Sequence, residues 1–116
     1  MPKIKIRVLI KNSETESSLD TMAILEEDKI KYKEDKNTTV IWNYKDNTLL
    51  RETDQLRITY KFQEQKKTEG IIEIKEYNQN IKVEIHTKKL ERKKNNIKLE
   101  FKIEQDEFLY CIEELL

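Results

Sequence analysis

The feature that most constrains this chain is an alternation of apolar and polar residues that recurs along most of its length. In the stretch KIKIRVLIK, Ile4, Ile6, Val8 and Ile10 fall on one side of an extended strand. An α-helix cannot keep such a set on one face because its period is 3.6 residues, whereas the period of a strand is two. The same pattern returns in DKIKYKED, LRITYKF, IKVEI and IKLEFKI. The pattern therefore predicts an all-β protein.

Short turn sequences separate the alternating stretches and predict hairpins that follow one another along the chain. Asn and Asp, which tolerate left-handed backbone, mark these turns at residues 12–13, 45–47, 77–80 and 94–96. The short spacing between the turns favours antiparallel strands that pair in sequence order.

Three features give weaker signals. Residues 15–26 show a fainter strand pattern. The tail DEFLYCIEELL alternates like a strand but also fits a helical stripe behind a cap at Asp106. We favour the strand, because it would extend the hairpin begun at residues 97–103. The lone Gly70 is expected to mark a bulge or a strand bend.

Strands that each carry one apolar face must cover that face together. A large antiparallel sheet tends to curl, and closure removes its exposed edges. The sequence therefore predicts a meander of about 8–10 short antiparallel strands closed into a barrel, with a sandwich as the alternative. Residues 1–116 are expected to form this barrel as one domain.

Composition excludes several classes of function. The 23 Lys and Arg residues balance 23 Asp and Glu residues, which argues against a general nucleic-acid-binding protein. The abundance of Lys, Asn and Ile is attributed to an AT-rich bacterial genome. The single cysteine cannot form an internal disulfide, and neither a signal peptide nor an apolar span of about 20 residues is found. We therefore expect a cytoplasmic protein that does not enter a membrane.

No group of residues predicts catalysis. His86 shares strand parity with Lys82 and Glu84, opposite the apolar face, and is expected to meet solvent. Cys111 lies among apolar residues and is interpreted as a small structural thiol. One glycine cannot build a phosphate-binding loop, and no ligand spacing predicts a metal site. We expect no cofactor and no metal, and an enzyme is the third of three functional hypotheses.

Several short motifs of this chain are shared with a known family. The first is the pair of threonines Thr38 and Thr39, which precede a strand. Arg51 follows two leucines, and Thr87 and Leu90 close the eighth strand. In these residues the chain resembles the YwiB-like family of uncharacterised bacterial proteins. The resemblance implies a calycin-like, or lipocalin-like, antiparallel barrel without an assigned activity. The chain departs from the family in two turns, which lack the glycine expected after the arginine and the proline and glycine expected before strand eight.

Arg51 leads to the first functional hypothesis, a non-catalytic binding module. It shares strand parity with Leu49, so we expect it to point inward or to lie at the barrel mouth. An inward arginine needs a compensating carboxylate or anion, which either the chain or a ligand could supply. Tyr32, Trp42 and Tyr60 are the aromatic candidates beside it, unless they only pack the core. The ligand would be a small anionic or amphipathic molecule.

A basic hairpin around residues 88–94 gives the alternative hypothesis, a module for nucleic acid or protein interaction. A solvated hairpin tip is the ordinary interpretation of such a cluster. A local phosphate-contacting patch with nearby aromatic residues is the functional one. The chain is expected to be a monomer or a homodimer. The basic residues are Lys88, Lys89, Arg92, Lys93 and Lys94.

Overall fold

A computed structural model describes residues 2–115, in which the alternating stretches form ten β-strands. Burial follows the alternation most clearly in the fourth strand, where Thr38, Val40 and Trp42 are buried and the residues between them are partly exposed. In chain order the strands are β1 (Lys3–Lys11), β2 (Glu16–Glu26), β3 (Lys29–Asp35), β4 (Thr38–Asn43), β5 (Thr48–Glu52), β6 (Leu56–Lys61), β7 (Lys67–Ile74), β8 (Gln79–Lys93), β9 (Asn96–Ile103) and β10 (Asp106–Leu115).

The strands close into a barrel. Each strand pairs antiparallel with the next in sequence, and β1 also pairs with β10 through the ladder from Lys5 to Lys11. The predicted closed antiparallel meander is therefore confirmed. The fainter pattern at residues 15–26 forms β2, and the tail forms β10 as favoured. Among residues 2–115, no helix is long and apolar enough to cross a membrane.

The tight turns use left-handed backbone at three of the predicted turn sequences. Asn47, Asn78 and Lys94 have φ values of 54°, 50° and 55°. Asparagine adopts this region more readily than most side chains, which accounts for the first two. Gln65 and Glu104 also have positive φ, although no turn residue type marks them. The turns after β1, β3, β5, β7 and β9 form one end of the barrel, called here the Arg51 end.

Gly70 does not mark a bulge, so that half of the prediction is wrong. It lies in β7 opposite Tyr60 on β6 and Val83 on β8, and both ladders continue through it without a shift. A Cβ atom at Gly70 would lie 2.6 Å from Cδ1 of Tyr60 and 3.0 Å from Cγ2 of Val83. Glycine is used here because the Tyr60 ring packs against the backbone.

The bulges occur instead in β3 and β8. The β3–β4 ladder shifts between Lys33 and Asp35, which leaves Glu34 as the extra residue. The β8–β9 ladder shifts between Thr87 and Lys89. A bulge changes the direction of the side chains beside it, and the bulge in β3 lies at the charged residue Glu34.

The core fills the barrel with aliphatic and aromatic side chains, of which Ile6, Ile30, Ile85 and Leu99 are fully buried. Each buried side chain of this size contributes roughly 1.5–3 kcal/mol to folding. The others in the buried core are Val8, Ala23, Tyr32, Val40, Trp42, Leu49, Phe62, Ile97, Phe101, Tyr110 and Ile112.

Candidate functional site

The four residues predicted to form a ligand site all lie on the inner face of the wall. Strand pairing aligns the inner side chains of β2 to β8 in two adjacent rows. The first row contains Trp42 and Tyr60, and the second contains Tyr32 and Arg51. In register order the rows are Leu25, Ile30, Trp42, Leu49, Tyr60, Gly70, Val83 and Ala23, Tyr32, Val40, Arg51, Ile58, Ile72, Ile81.

Arg51 is held by a carboxylate of the chain itself. Its Nη2 donates to Oε2 of Glu34 at 2.9 Å, and its Nε donates to the two carboxylate oxygens at 3.2 and 3.3 Å. The Arg51 side chain is 42% exposed and that of Glu34 is 20% exposed, so the pair lies at the mouth of the barrel. The hydrogen bonds from Arg51 to Glu34 raise the pKa of the guanidinium. The sequence left open whether the chain or a ligand compensates the charge of Arg51. The structure shows that the chain does so, through Glu34.

The bulge in β3 makes this ion pair possible. Glu34 is the residue without a partner on β4, between Lys33 opposite Thr39 and Asp35 opposite Thr38. An extra residue lets the strand bend and changes the direction of the side chains beside it. The local irregularity therefore places a carboxylate against Arg51 at the rim.

Two tyrosine hydroxyls meet deeper in the barrel. The Tyr32 and Tyr110 hydroxyls form a hydrogen bond, and both residues are almost fully buried. Burial raises the pKa of each phenol far above its ordinary value, because a phenolate would lose its hydration. The Glu34 carboxylate adds to this rise in pKa at both tyrosines, and the positive charge of Arg51 opposes it.

An aromatic layer lies beside these polar groups. The ring of Phe62 lies 6.0 Å from that of Trp42, 6.3 Å from that of Tyr60 and 4.9 Å from that of Phe101. Phe101 in turn stacks on Phe108 at 5.2 Å. The predicted aromatic residues Trp42 and Tyr60 thus join through Phe62, which the sequence did not single out.

Trp42 carries a buried donor without an acceptor. The residue is 1% exposed, and among residues 2–115 its Nε1 is the buried side-chain nitrogen or oxygen that has no hydrogen-bond partner. Leaving such a donor unsatisfied costs about 1–3 kcal/mol. A buried, unsatisfied polar group in an otherwise well-paired interior is a place where a ligand or a water molecule would gain a hydrogen bond.

A surface depression of about 390 Å³ reaches the aromatic layer from outside. Phe101 and Phe108 form its apolar part, and Lys88 and Glu107 line it as an ion pair. Its remaining lining consists of Lys11, Asn12, Ser13, Glu100 and Leu109.

Two of the five cations of the basic hairpin are paired with carboxylates. Lys88 binds Glu107, and Nζ of Lys89 lies 3.1 Å from Oε1 of Glu91. These contacts leave fewer free cations for phosphate than the sequence suggests.

The arginine of the same hairpin is also engaged. The guanidinium of Arg92 lies 3.6 Å from the centre of the Tyr44 ring, and its Nε donates to the carbonyl of Lys94 at 3.1 Å. Burial raises the pKa of Tyr44 to about 12. Lys93 and Lys94 are exposed at the tip.

His86 and Cys111 stand apart from the interior. His86 is exposed on the outer face of β8, opposite Lys67 and Lys102, as expected from its parity. Cys111 is partly buried, and burial raises the pKa of its thiol, which disfavours the thiolate. Within residues 2–115, no group of three or more His, Cys, Asp or Glu side chains is placed to hold a metal ion.

Sequence reasoning missed two residues of the polar cluster, Glu34 and Tyr110. Both could have been found from parity alone. Glu34 shares the parity of Ile30 and Tyr32, so it is a carboxylate on the apolar side of β3. Tyr110 alternates with Phe108 on the apolar side of the tail, but the strand there was in doubt.

No protein-family model matches this sequence, and no curated protein matches it. A solved structure does match: the crystal structure of the YwiB protein from Bacillus subtilis. The TM-score is 0.66, and the match covers 98% of this chain and 94% of that one. The fold is a YwiB-like β-barrel. At 11% identity the match shows similarity of fold alone. For the fold, it confirms the YwiB-like resemblance seen in the sequence.

Two of the three threonines that carried the resemblance are the buried polar residues of the YwiB-like barrel between residues 2 and 115. Thr38 is 5% exposed and Thr87 is fully buried. Thr87 Oγ1 accepts a hydrogen bond from the backbone N–H of Gln63 at 3.3 Å. Thr87 therefore helps to hold the loop between β6 and β7 against β8.

Proposed function

We propose that the YwiB-like barrel is a non-catalytic binding protein that takes one small amphipathic ligand at the Arg51 end. The ligand's apolar part would lie against the aromatic layer, and its polar part would meet Trp42 and the rim. Closed barrels widen with strand number, and those of about eight strands either just fill with side chains or hold one small molecule. The proposal includes a calycin-like mode of binding and a cytoplasmic, bacterial setting.

The observation that carries the proposal is the unpaired N–H of Trp42. A buried donor without a partner gains a hydrogen bond when an acceptor arrives, and that bond is stronger in the low-dielectric interior than in water. The ligand is therefore expected to carry an oxygen or nitrogen acceptor beside its apolar part.

Glu34 narrows the chemistry further. A fully charged anion at Arg51 would meet the Glu34 carboxylate, which already uses Nε and Nη2 of the guanidinium. Like charges at this distance disfavour such a ligand. An amphipathic ligand with a neutral acceptor is therefore favoured over a free carboxylate or phosphate.

Native mass spectrometry of gently purified protein is the first test. An added mass that disappears on denaturation would support an interior ligand and give its composition. An envelope of oligonucleotide masses would instead favour the alternative, interaction through the basic hairpin. The bare mass, with no response in the titrations described next, would contradict the proposal.

Two small fluorescent probes test the predicted preference. 6-Propionyl-2-(dimethylamino)naphthalene is neutral and carries a carbonyl acceptor, and 1-anilinonaphthalene-8-sulfonate is a naphthalene anion of similar size. We expect the neutral probe to bind about tenfold more tightly, a difference of about 1.4 kcal/mol. Tighter binding of the sulfonate would contradict the role assigned to Glu34.

Matched variants locate the site. Trp42→Phe keeps an aromatic ring but removes the N–H, so we expect weaker probe binding. The smaller ring also loses core packing, so far-UV circular dichroism must confirm that the variant is folded. The double variant Glu34→Leu, Arg51→Leu removes the rim pair without leaving one charge alone and should also weaken binding. Arg57→Leu is the control, because Arg57 makes a similar 2.9 Å pair with Glu52 on the outer face.

A last variant separates the two hypotheses. Changing Lys88, Lys89 and Lys93 to Glu reverses the charge of the basic hairpin while leaving the inner rows intact. We expect probe binding to survive this change. Loss of binding in this variant alone would assign the activity to the hairpin.

A further inference from the structure

The long strand β8 has one edge that the barrel leaves open. Residues 79–86 pair with β7, whereas pairing with β9 begins only at Ile85. Residues 79–84 therefore have no ladder on the β9 side, and within residues 2–115 no other backbone group replaces it. A free edge of this kind offers unpaired N–H and C=O groups to another strand.

The corresponding edge in the second half of β8 is covered. The backbone N–H of Gln65 donates to the carbonyl of Thr87 at 2.9 Å, and the N–H of Thr87 donates to the carbonyl of Lys66 at 3.2 Å. Farther along, the N–H of Leu90 donates to Oε2 of Glu64 at 2.9 Å. The β6–β7 loop thus satisfies one side of β8, and the open segment stands in contrast to it.

The side chains of the open segment favour pairing. Ile81 points to the inner face at the end of the Arg51 row, yet it is 42% exposed because no strand lies beyond it. On the outer face, Lys82 lies 3.5 Å from Glu69 and Glu84 lies 3.3 Å from Lys67. Natural edges are protected by charged side chains, Pro, bulges or inward-pointing charges. In residues 79–84 no charge points inward, and the two outward charges are paired with side chains of β7.

We propose that a second copy of this chain pairs antiparallel with residues 79–84, around a two-fold axis at Ile81. Such a pair places Ile81 opposite itself and Gln79 opposite Val83, so nearly every contact falls within the open segment. The interface would be self-complementary, as two-fold symmetry requires. The apolar inner row that ends at Ile81 would continue into the second copy.

The charge pattern selects β8 over the other open edge. Residues 16–22 of β2 lack a ladder on the β3 side, where pairing begins at Ala23. That segment carries Glu16 and Asp20 and no basic residue of its own. Asp20 is paired with Arg7 on β1 at 2.8 Å, but the segment offers no opposite charge to the Glu16 of a second copy. The β8 segment carries one Lys and one Glu and is neutral.

Sedimentation velocity or light scattering tests the proposal on the full chain. At about 100 µM chain, well above micromolar affinities, we expect twice the single-chain mass of 14.1 kDa. Ile81→Lys should halve that mass. Ile71→Lys is the matched control, because Ile71 is a 38% exposed isoleucine on the outer face of the neighbouring strand. A wild-type monomer, a dimer that survives Ile81→Lys, or a dimer lost equally in Ile71→Lys would overturn the proposal.

Disulfide trapping keeps the test independent of the lysine variants. In a Cys111→Ser background, Ile81→Cys should form a covalent dimer on mild oxidation, because the axis brings the two Cβ atoms within cross-strand distance. Ile71→Cys in the same background should stay monomeric. Equal cross-linking of both variants would mean random collision and would overturn the proposed register.

Discussion

The hydroxyls of Tyr32 and Tyr110 meet inside the barrel, where each is the other's hydrogen-bond partner. Removing one partner of a buried pair leaves the other unsatisfied, whereas replacing both by apolar groups of the same shape is nearly neutral. The energetics of this pair therefore depend on whether one hydroxyl or both are removed.

A double-mutant cycle follows from that asymmetry. We expect Tyr32→Phe and Tyr110→Phe each to lower the free energy of unfolding by about 1–3 kcal/mol. The double variant should lose less than the sum of the two. Urea unfolding followed by far-UV circular dichroism measures all three changes. Additive losses would mean that the hydroxyls do not act as a pair.

The same two phenols predict a dependence on alkaline pH. Burial raises the pKa of Tyr32 and Tyr110 in the folded state, whereas unfolded tyrosine ionises near pH 10. The folded state therefore holds its protons more tightly, so this stability is complete below about pH 10 and is lost as the pH rises above it.

The midpoint of urea unfolding, measured between pH 9 and pH 11, tests this pH dependence of stability. The midpoint of the wild type should fall over this range, and that of the Tyr32→Phe, Tyr110→Phe variant should fall less. The variant serves as the control for lysine ionisation, which it leaves unchanged. Parallel curves for the two proteins would contradict the assignment.

At the residue scale, the sequence predicted the face on which a side chain lies better than it predicted the residue that the side chain contacts. Parity alone indicates that Arg51 shares a face with Leu49, and the structure places it on the inner row. It does not indicate which carboxylate meets Arg51, because a bulge in β3 determines where Glu34 points. Bulges depend on how two strands fit together, which a period-two pattern does not encode.

At the scale of the element, Gly70 shows how one strand makes room for its neighbour. The Tyr60 ring occupies the space that a Cβ atom at Gly70 would need. The alternating pattern of β6 and β7 predicts both strands, but it does not predict that an aromatic ring crosses from one to the other. The sequence shows a single glycine. Why a glycine is needed there depends on the register of β6 and β7, which places Tyr60 opposite Gly70.

Gly70→Ala tests this packing. Overpacking of a filled core costs about 1–3 kcal/mol, and we expect a loss of this size. In a Tyr60→Leu background the same change should cost much less, since the ring is gone. Thermal unfolding of the four proteins measures the coupling. An equal cost in both backgrounds would point to the backbone of β7 and not to the ring.

At the scale of the whole molecule, closure joins the first strand to the last. The β1–β10 ladder pairs residues that are far apart in sequence, such as Val8 with Ile112, and all ten strands then share one core. The individual strands were readable from their alternation. The closure was inferred from the need to cover one apolar face per strand, which is a property of the complete set.

A shared core predicts cooperative unfolding. Trp42 is the single tryptophan, and it lies inside the barrel, so its fluorescence reports on the interior. Far-UV circular dichroism reports on all strands together. We expect the two urea transitions to coincide. A separate, earlier fluorescence transition would mean that the interior around Trp42 opens before the rest of the barrel.

The open edge of β8 gives this strand a distinctive pattern of amide hydrogen exchange. Along residues 79–84, amides that face β7 are bonded in the ladder, while those that face the other way meet solvent. In the single chain, exchange rates should therefore alternate between slow and fast along this strand, with the same two-residue period as the sequence pattern. The proposed pairing of two copies would slow the fast set.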